Sequence, residues 1–293
     1  MGHRFDLHMH SACSDGYDPP AQVVRNAQGA GLALMALTDH DNVDGVPEAV
    51  AEGARVGLPV LPALEMDTEW PSEMHILGLD VDVADAALQS ALETAKARRV
   101  ERNTEIFARL KAAGYDILPY LERANGTVTR LHIAKALVTG GYADSLSDAF
   151  QRYLKRGCAG YYAAPRFAPE EVLALIRGAG GVPVWAHPSH TKDDRHALLP
   201  RLIEAGLMGV EAYHPSQTAG ESALLVSLAR QHGLLVTCGS DSHGANRPQA
   251  TIGCTWRETA ALEETYAYFA ARMEKKREDP VERTVKKGES GIR

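Results

Sequence analysis

The chain has 293 residues, enough for one large α/β domain or two smaller ones. Its net charge of −7 excludes the generally basic surface that grips duplex DNA, although a local cationic pocket for a small anion remains compatible with it. The four cysteines, Cys13, Cys158, Cys238 and Cys254, are far apart and form no CxxC, which points to reduced thiols in a cytoplasmic setting; no signal-peptide pattern and no membrane-length apolar run is present.

Residues 5–7 read as a short buried strand. His8 and His10 follow it two residues apart, on one side of an extended chain, and can grip one cation. Asp15 comes after a short turn and can reach back as a carboxylate ligand. Residues 19–31 form a helix with Val23, Val24 and Ala27 on one face. Residues 32–37 are a continuous apolar strand that runs into Thr38-Asp39-His40-Asp41-Asn42. A helix over 46–56 stops at Gly57, a strand over 59–64 ends at Glu65, and a strand over 74–79 has His75 near its start. This alternation predicts a parallel sheet.

The rhythm then changes. Residues 84–113 read as one long charged helix, and 129–138 and 145–154 as two more. The stretch 84–164 is therefore expected to be an inserted helical subdomain, with 1–83 and 165–293 forming the main domain. Alternation resumes with a helix over 169–179 and a strand over 182–186 that ends at His187. A helix over 195–205 and a strand over 208–212 containing Glu211 come next. They are followed by a helix over 222–232 and a strand over 234–238 that runs into Gly239-Ser240-Asp241-Ser242-His243. A last helix over 262–275 precedes a charged tail expected to fray. Lys155-Arg156 and Lys275-Lys276-Arg277 read as solvated faces.

Nine candidate ligands, His8, His10, Asp15, His40, Glu65, His75, His187, Asp241 and His243, fall at strand ends. That is the carboxyl edge of a parallel barrel, where such folds keep their chemistry. Imidazoles mixed with carboxylates suit Zn, Mn or Fe, and the set is large enough for more than one ion, with Glu65 the natural bridging carboxylate. Clustered divalent ions make hydroxide at neutral pH and neutralise phosphoryl oxygens, so a phosphate ester attacked in line by metal-bound hydroxide is the expected substrate. Glu65, Asp241 and His243 are expected to hold the ions that carry that hydroxide. No GxSxG motif or Cys/His pair offers a protein nucleophile. His190, Glu211 and His214 either orient ligands or are polar loop residues. Tyr161 and Tyr162 either stack on a base or pack in a core, and Cys13 reads as a bystander in the metal loop.

The motifs DLHMHSACSDG, LTDHDN, the Glu in LPALEM, AHPSH and GSDSHG resemble the successive motifs of the PHP (polymerase and histidinol phosphatase) family. The resemblance implies an α/β fold, a distorted (β/α)7 TIM-like barrel, with three divalent ions per chain, Mn2+ foremost and Zn2+ or Fe2+ as alternatives. Carried over by motif position, it places one ion on His8, His10, Glu65 and Asp241, a second on Glu65, His75 and His187, and a third on Asp15, His40 and His243. The insert, with TRLHIAKALV and AFQRYLKRGCAGYY, is similar to the subgroup of nucleoside 3′,5′-bisphosphate phosphatases and RNA-trimming enzymes. Where that subgroup commonly reads Arg-Pro-His, this chain has Arg130-Leu131-His132.

The expected activity is removal of the 3′-phosphate from a nucleoside 3′,5′-bisphosphate such as pAp. The alternatives are 5′–3′ exoribonuclease action on short RNA, a histidinol-phosphate-type phosphatase, and a non-catalytic metal-stabilised module. Thr129 reads as an N-cap opening a helix that carries Arg130, His132 and Lys135. These three residues are expected to bind the phosphate that is not cleaved, at a helix N-terminus suited to anions.

Overall fold

The computed structural model describes residues 2–121 and 128–278. Seven strands form one sheet in chain order: β1 (Phe5–Asp6), β2 (Leu34–Leu37), β3 (Val60–Asp67), β4 (His75–Leu79), β5 (Val182–Trp185), β6 (Gly209–Tyr213) and β7 (Leu235–Cys238). The sheet curls until its first and last strands meet. Leu7 N donates to Cys238 O at 3.1 Å, Asp241 N to His8 O at 2.9 Å and His10 N to Ser242 O at 2.9 Å. Met9 and Ser242 pair in parallel across this seam. The result is the expected distorted α/β barrel.

One expectation needs correcting. The sheet is not uniformly parallel, because β4 runs antiparallel to both β3 and β5. Only a short loop joins β3 to β4, whereas a parallel crossover needs roughly a dozen residues. Thr68 closes the resulting hairpin, its N and Oγ1 both donating to Met74 O, at 3.2 and 2.8 Å. Because β4 is reversed, its N-terminal end lies at the rim where the other strands end. His75, at the start of a strand, thereby joins residues that follow strand ends.

Outside the sheet lie α1 (Pro20–Gly29), α2 (Val46–Val56), α6 (Pro169–Gly178), α7 (Arg195–Glu204), α8 (Ala219–Gln231) and α9 (Ala260–Glu278). Between β4 and α6 the chain forms α3 (Ala86–Ala112), α4 (Arg130–Thr139) and α5 (Leu146–Ala149), with a π-helical turn over Phe150–Leu154. Both faces of the strands contribute to one apolar core that includes Phe5, Leu61, Leu64, Val184, Trp185 and Val210, all fully buried. A second apolar cluster, with Leu110, Ile133, Leu137 and Tyr153, sits among the inserted helices. The long α3 spans both, giving Leu88 and Leu92 to the barrel core and Ile106 and Leu110 to the second cluster. Asp85 caps its start, accepting from Leu88 N at 2.9 Å.

The last helix is longer than expected, and Lys275, Lys276 and Arg277 are exposed as expected. Arg272 Nε and Lys276 Nζ each bond the buried Asp80 carboxylate at 2.7 Å, which holds the final turns against the barrel. The tail beyond residue 278 lies outside the described residues. Among the described residues no helix is long and apolar enough to cross a membrane.

Candidate metal centre

The barrel rim carries the polar residues. Among the described residues four non-glycine residues adopt positive φ, and three of them, Asp41 (45°), His187 (26°) and Asp241 (52°), stand where strands give way to rim loops. Backbone strain of this kind persists where the surroundings over-determine it, typically at functional sites. Gly239 at the same rim has no room for a side chain. A Cβ there would lie 2.2 Å from both Glu211 Oε1 and His8 Cβ.

Glu65 is the hub, with only 1% of its side chain exposed. Its Oε1 lies 2.8 Å from His75 Nδ1 and 2.9 Å from His187 Nε2. Its Oε2 lies 3.3 Å from both His8 Nε2 and His10 Nε2 and 3.2 Å from His40 Nδ1. Asp241 Oδ1 faces His10 Nε2 at 3.1 Å and His8 Nε2 at 3.6 Å. Asp15 Oδ1 faces His243 Nε2 at 3.2 Å, and its Oδ2 faces His40 Nε2 at 3.9 Å. All nine residues expected from the sequence thus gather at one rim.

The donor set fits divalent cations. His8 Nε2, both nitrogens of His10, His40 Nδ1 and His187 Nδ1 are buried without a hydrogen-bond partner. Left like this, each would carry a desolvation cost of about 1–3 kcal/mol. Two ligands bound at about 2.1 Å to one ion lie roughly 3.0–3.4 Å apart, the spacing that most of these nitrogens keep from carboxylate oxygens. The protonation states also suit an ion. Burial opposes charge on Glu65, yet His40, His8 and His75 hold its carboxyl well below the usual range. Burial, with His243 and His40 adding to it, pushes the His10 imidazole down to about 3, so this ring is neutral. The ligating atoms fall into overlapping sets: His8, His10 and Glu65; Glu65, His75 and His187; and His10, Asp15, His40 and His243.

The residues left open by the sequence divide clearly. Glu211 is fully buried and orients ligands: Oε1 is 3.0 Å from His8 Nδ1, and Oε2 accepts from His187 N at 2.7 Å. His214 Nε2 lies 3.3 Å from Asp241 Oδ2 and joins His8 and Asp241 in a further ligand-like set. His190 is farther out, its Nδ1 2.7 Å from Glu73 Oε1. Sequence reasoning missed Asp67, which lies 3.4 Å from His40 Nδ1 and 3.3 Å from His75 Nε2. Its position two residues beyond Glu65, on the same face of an extended strand, was the available signal. It also missed Arg247, whose guanidinium meets Asp241 Oδ2.

Beside the metal rim is a narrow cleft lined by Asp41, Asp67, Arg98, Arg99, Arg102 and Arg166, among others. Arg99, on α3, bonds Asp41 through Nε at 2.7 Å and Asp67 through Nη2 at 2.9 Å. Arg102 is 3% exposed and, among the described residues, has only Asn103 Oδ1 and Val128 O as hydrogen-bond acceptors. Burial, then Arg99 and Arg130, lower its guanidinium to about 9. Arg98 Nη1 and Arg130 Nε are buried without partners. Burial, followed by Arg166, lowers the Arg130 guanidinium, which lies 6.0 Å from the Tyr161 ring centroid.

The other two residues expected at the phosphate have structural contacts. Thr129 caps α4 as expected, its Oγ1 accepting from Leu131 N at 3.2 Å, while His132 Nδ1 accepts from Thr129 N at 3.1 Å. Lys135 Nζ bonds Asn246 Oδ1, and Asn246 Nδ2 donates to Asp15 O at 2.8 Å, tying α4 to the metal loop.

Residues 6–121 match the PHP domain family. The 3′,5′-nucleoside bisphosphate phosphatase of Chromobacterium violaceum is 34% identical over 276 residues, covering 87% of this chain and 96% of its own. A 5′–3′ exoribonuclease of Salmonella typhimurium is 36% identical over 252 residues, covering 82% of this chain and 85% of its own. Among solved structures, a protein described as a metal-dependent phosphoesterase from Bifidobacterium adolescentis superposes with a TM-score of 0.80 at 30% identity, covering 89% of this chain and 95% of that one. With relatives aligned along most of its length and a rim of converging imidazoles and carboxylates, the chain belongs to the PHP family of phosphoesterases.

Proposed function

We propose that the protein is a metal-dependent phosphatase that removes the 3′-phosphate of nucleoside 3′,5′-bisphosphates. The observation that carries this reading is the crowding of arginines beside the metal rim. Arg102 is a buried cation with few acceptors and Arg130 a half-buried one whose Nε is buried without a partner among the described residues, next to Arg99 and Arg166. A dianionic phosphate would relieve that repulsion and gain charge-assisted hydrogen bonds. A substrate with two phosphates has one for the rim and one for this cleft. Identity of 34% to a nucleoside bisphosphate phosphatase supports the same reading.

His8, His10, Asp15, His40, Glu65, His75, His187, Asp241 and His243 would hold three divalent ions, with Mn2+ the preferred occupant. Ions held there would supply Lewis acidity to phosphoryl oxygens and would make water a better nucleophile by lowering its pKa. The protein's own part is to fix the ligands, with Glu211 orienting His8 and His187, and to hold the spectator phosphate on Arg130, assisted by Arg102 and Arg166. His132 contributes by fixing the start of α4, and Lys135 by docking α4 on the Asp15 loop. The described helices of the stretch 84–164, α3, α4 and α5, act as a cap over the barrel mouth. Four unpaired thiols support a cytoplasmic location.

A second reading, 5′–3′ exonuclease action on short RNA, is favoured by the 36% identical exoribonuclease. The same cleft would then take the 5′-phosphate of the strand. Phosphate release with Mn2+ from a nucleoside 3′,5′-bisphosphate, a nucleoside 3′-monophosphate, 5′-phosphorylated short RNA and histidinol phosphate separates the readings. The bisphosphate should have the highest kcat/KM. Faster nucleotide release from RNA would transfer the assignment to the nuclease, and preference for histidinol phosphate would refute both. Metal analysis after Mn2+ loading should give more than one ion per chain, and a ratio held at one or below would overturn the multinuclear centre.

A further inference from the structure

His190 belongs to the AHPSH motif but lies outside the nine ligands. We infer that His190, oriented by Glu73, accepts a hydrogen bond from the ribose 2′-hydroxyl beside the scissile phosphate, and so makes the enzyme select ribonucleotides over deoxyribonucleotides. This selectivity rests on the reading above, in which a nucleotide places its 3′-phosphate at the ions.

The His190 ring packs on that of His187, with centroids 4.5 Å apart, and stands edge-on to that of His214 at 5.7 Å. Its side chain is 32% exposed, so it borders both the ligands and the open mouth. Nδ1 lies 2.7 Å from Glu73 Oε1. A carboxylate only accepts, so the proton is on Nδ1 and the neutral ring carries its lone pair on Nε2. Among the described residues Nε2 has no hydrogen-bond partner. Glu73 stands just before the reversed β4, and His190 on the loop after β5. Three hydrogen bonds stitch these two loops together: Thr191 Oγ1 donates to Glu73 O at 2.9 Å, Lys192 N to Ser72 Oγ at 3.1 Å, and Trp70 Nε1 to Asp193 Oδ2 at 2.7 Å. His190 N also donates to His187 O at 3.0 Å, which sets the turn between the two rings. Support of this kind fixes an acceptor in place before a ligand arrives.

The chemistry of a nucleotide supplies the partner. C3′ of ribose stands between C4′, which bears the 5′-phosphate arm, and C2′, which bears the hydroxyl. With the 3′-phosphate at the ions and the 5′-phosphate on the arginines, the 2′-hydroxyl points away from the arginines. Their cleft lies beside Asp41 and Asp67, at the rim ends of β2 and β3. Round the rim in one direction, α4 docks on the Asp15 loop through Lys135 and Asn246 and closes that side. In the other direction, past β4, stands His190 with its unpartnered Nε2. The hydroxyl is thus delivered to the side that offers an acceptor, and this hydroxyl is the group by which a protein tells ribose from deoxyribose.

The test compares adenosine 3′,5′-bisphosphate with its 2′-deoxy counterpart in wild type and His190→Phe, both loaded with Mn2+. Phenylalanine keeps the ring packed on His187 and removes the acceptor. Wild type should prefer the ribo substrate by about tenfold in kcat/KM, and the variant should treat the two alike. Taking the ratio within one protein cancels any general loss of activity. Titration calorimetry with adenosine 5′-phosphate and 2′-deoxyadenosine 5′-phosphate gives a reading without turnover. Wild type should bind the ribo product several-fold more tightly, and the variant should bind both equally. A wild type with no ribo preference, or a preference that survives His190→Phe, would overturn the proposal. No turnover of the bisphosphate, with the calorimetric preference intact and lost in the variant, would refute the phosphatase reading and leave the role of His190 standing.

Discussion

Replacing Arg130 with methionine tests whether the arginine cleft reads a second phosphate. Methionine keeps most of the side chain's volume and removes only the cation and its donors. Arg130 Nε is buried and unpartnered, so a bound phosphate would gain a charge-assisted hydrogen bond worth about 1.5–3 kcal/mol. At about 1.4 kcal/mol per tenfold, that is roughly a 10- to 150-fold loss of kcat/KM. Arg102 and Arg166 remain and keep part of the attraction, which places the loss in the lower half of that range. The assay compares a nucleoside 3′,5′-bisphosphate with the matching 3′-monophosphate, two substrates that differ only in the spectator group. The bisphosphate should lose its advantage, while the monophosphate should be nearly unaffected. The metal-free variant should melt no lower than wild type, because burial and Arg166 already disfavour the charge at this position. Equal losses on both substrates, or none on either, would remove Arg130 from substrate recognition.

Glu65→Gln should cut kcat far more than it changes KM. An orienting partner alone is worth ~10–100-fold, so loss of the hub carboxylate should exceed about 100-fold, and near-normal turnover with full metal content would contradict its place at the hub. Metal loading should release protons. Against burial, Glu65 and Asp15 raise the His40 imidazole to about 10, and Asp67 and Glu65 raise that of His75 to about 9. Both rings are then protonated in the metal-free protein at pH 7.5 and must deprotonate to ligate, so affinity should climb as pH rises from 6 to 9. Calorimetry in buffers of different ionisation enthalpy should find protons released as metal binds, and buffer-independent heats would refute this. Gly239→Ala should lower the urea midpoint by the equivalent of roughly 1–3 kcal/mol, since the new methyl meets His8 and Glu211 with no free space, and an unchanged midpoint would show that the rim can yield there.

The barrel and its metal-binding rim were readable in the sequence because both depend on local pattern. Continuous apolar runs mark buried strands, and the residues just past them are confined to one edge. His8, His40, His187 and Asp241 needed nothing more. The direction of β4 depends on the length of its connection to β3, which composition does not reveal, yet that direction brings His75 to the rim. Asp67 escaped because the strand was ended at Leu64, and the structure carries it three residues further. Arg99 and Arg102 were hidden for another reason. They lie on a long helix rich in charge, where a buried arginine and a solvated one have the same local context. Only the tertiary placement of α3 against the rim tells them apart.

The seam between β1 and β7 has a consequence for how the protein matures. Asp6 and Ser240, 234 residues apart in sequence, are hydrogen-bonded across it, and His8 and Asp241 stand just beyond. During synthesis His8 and His10 leave the ribosome long before Asp241 and His243 exist. Until then the N-terminal segment offers an ion two imidazoles and a few mobile carboxylates, a weak and unselective chelate. Joining ends so distant in the chain is a slow, high-contact-order event that comes late in folding. Metal acquisition is therefore timed by barrel closure. Nascent or truncated chains lacking β7 should pass through the cell without their ions, and a metal supplied too early meets an open strand with no finished cage to hold it.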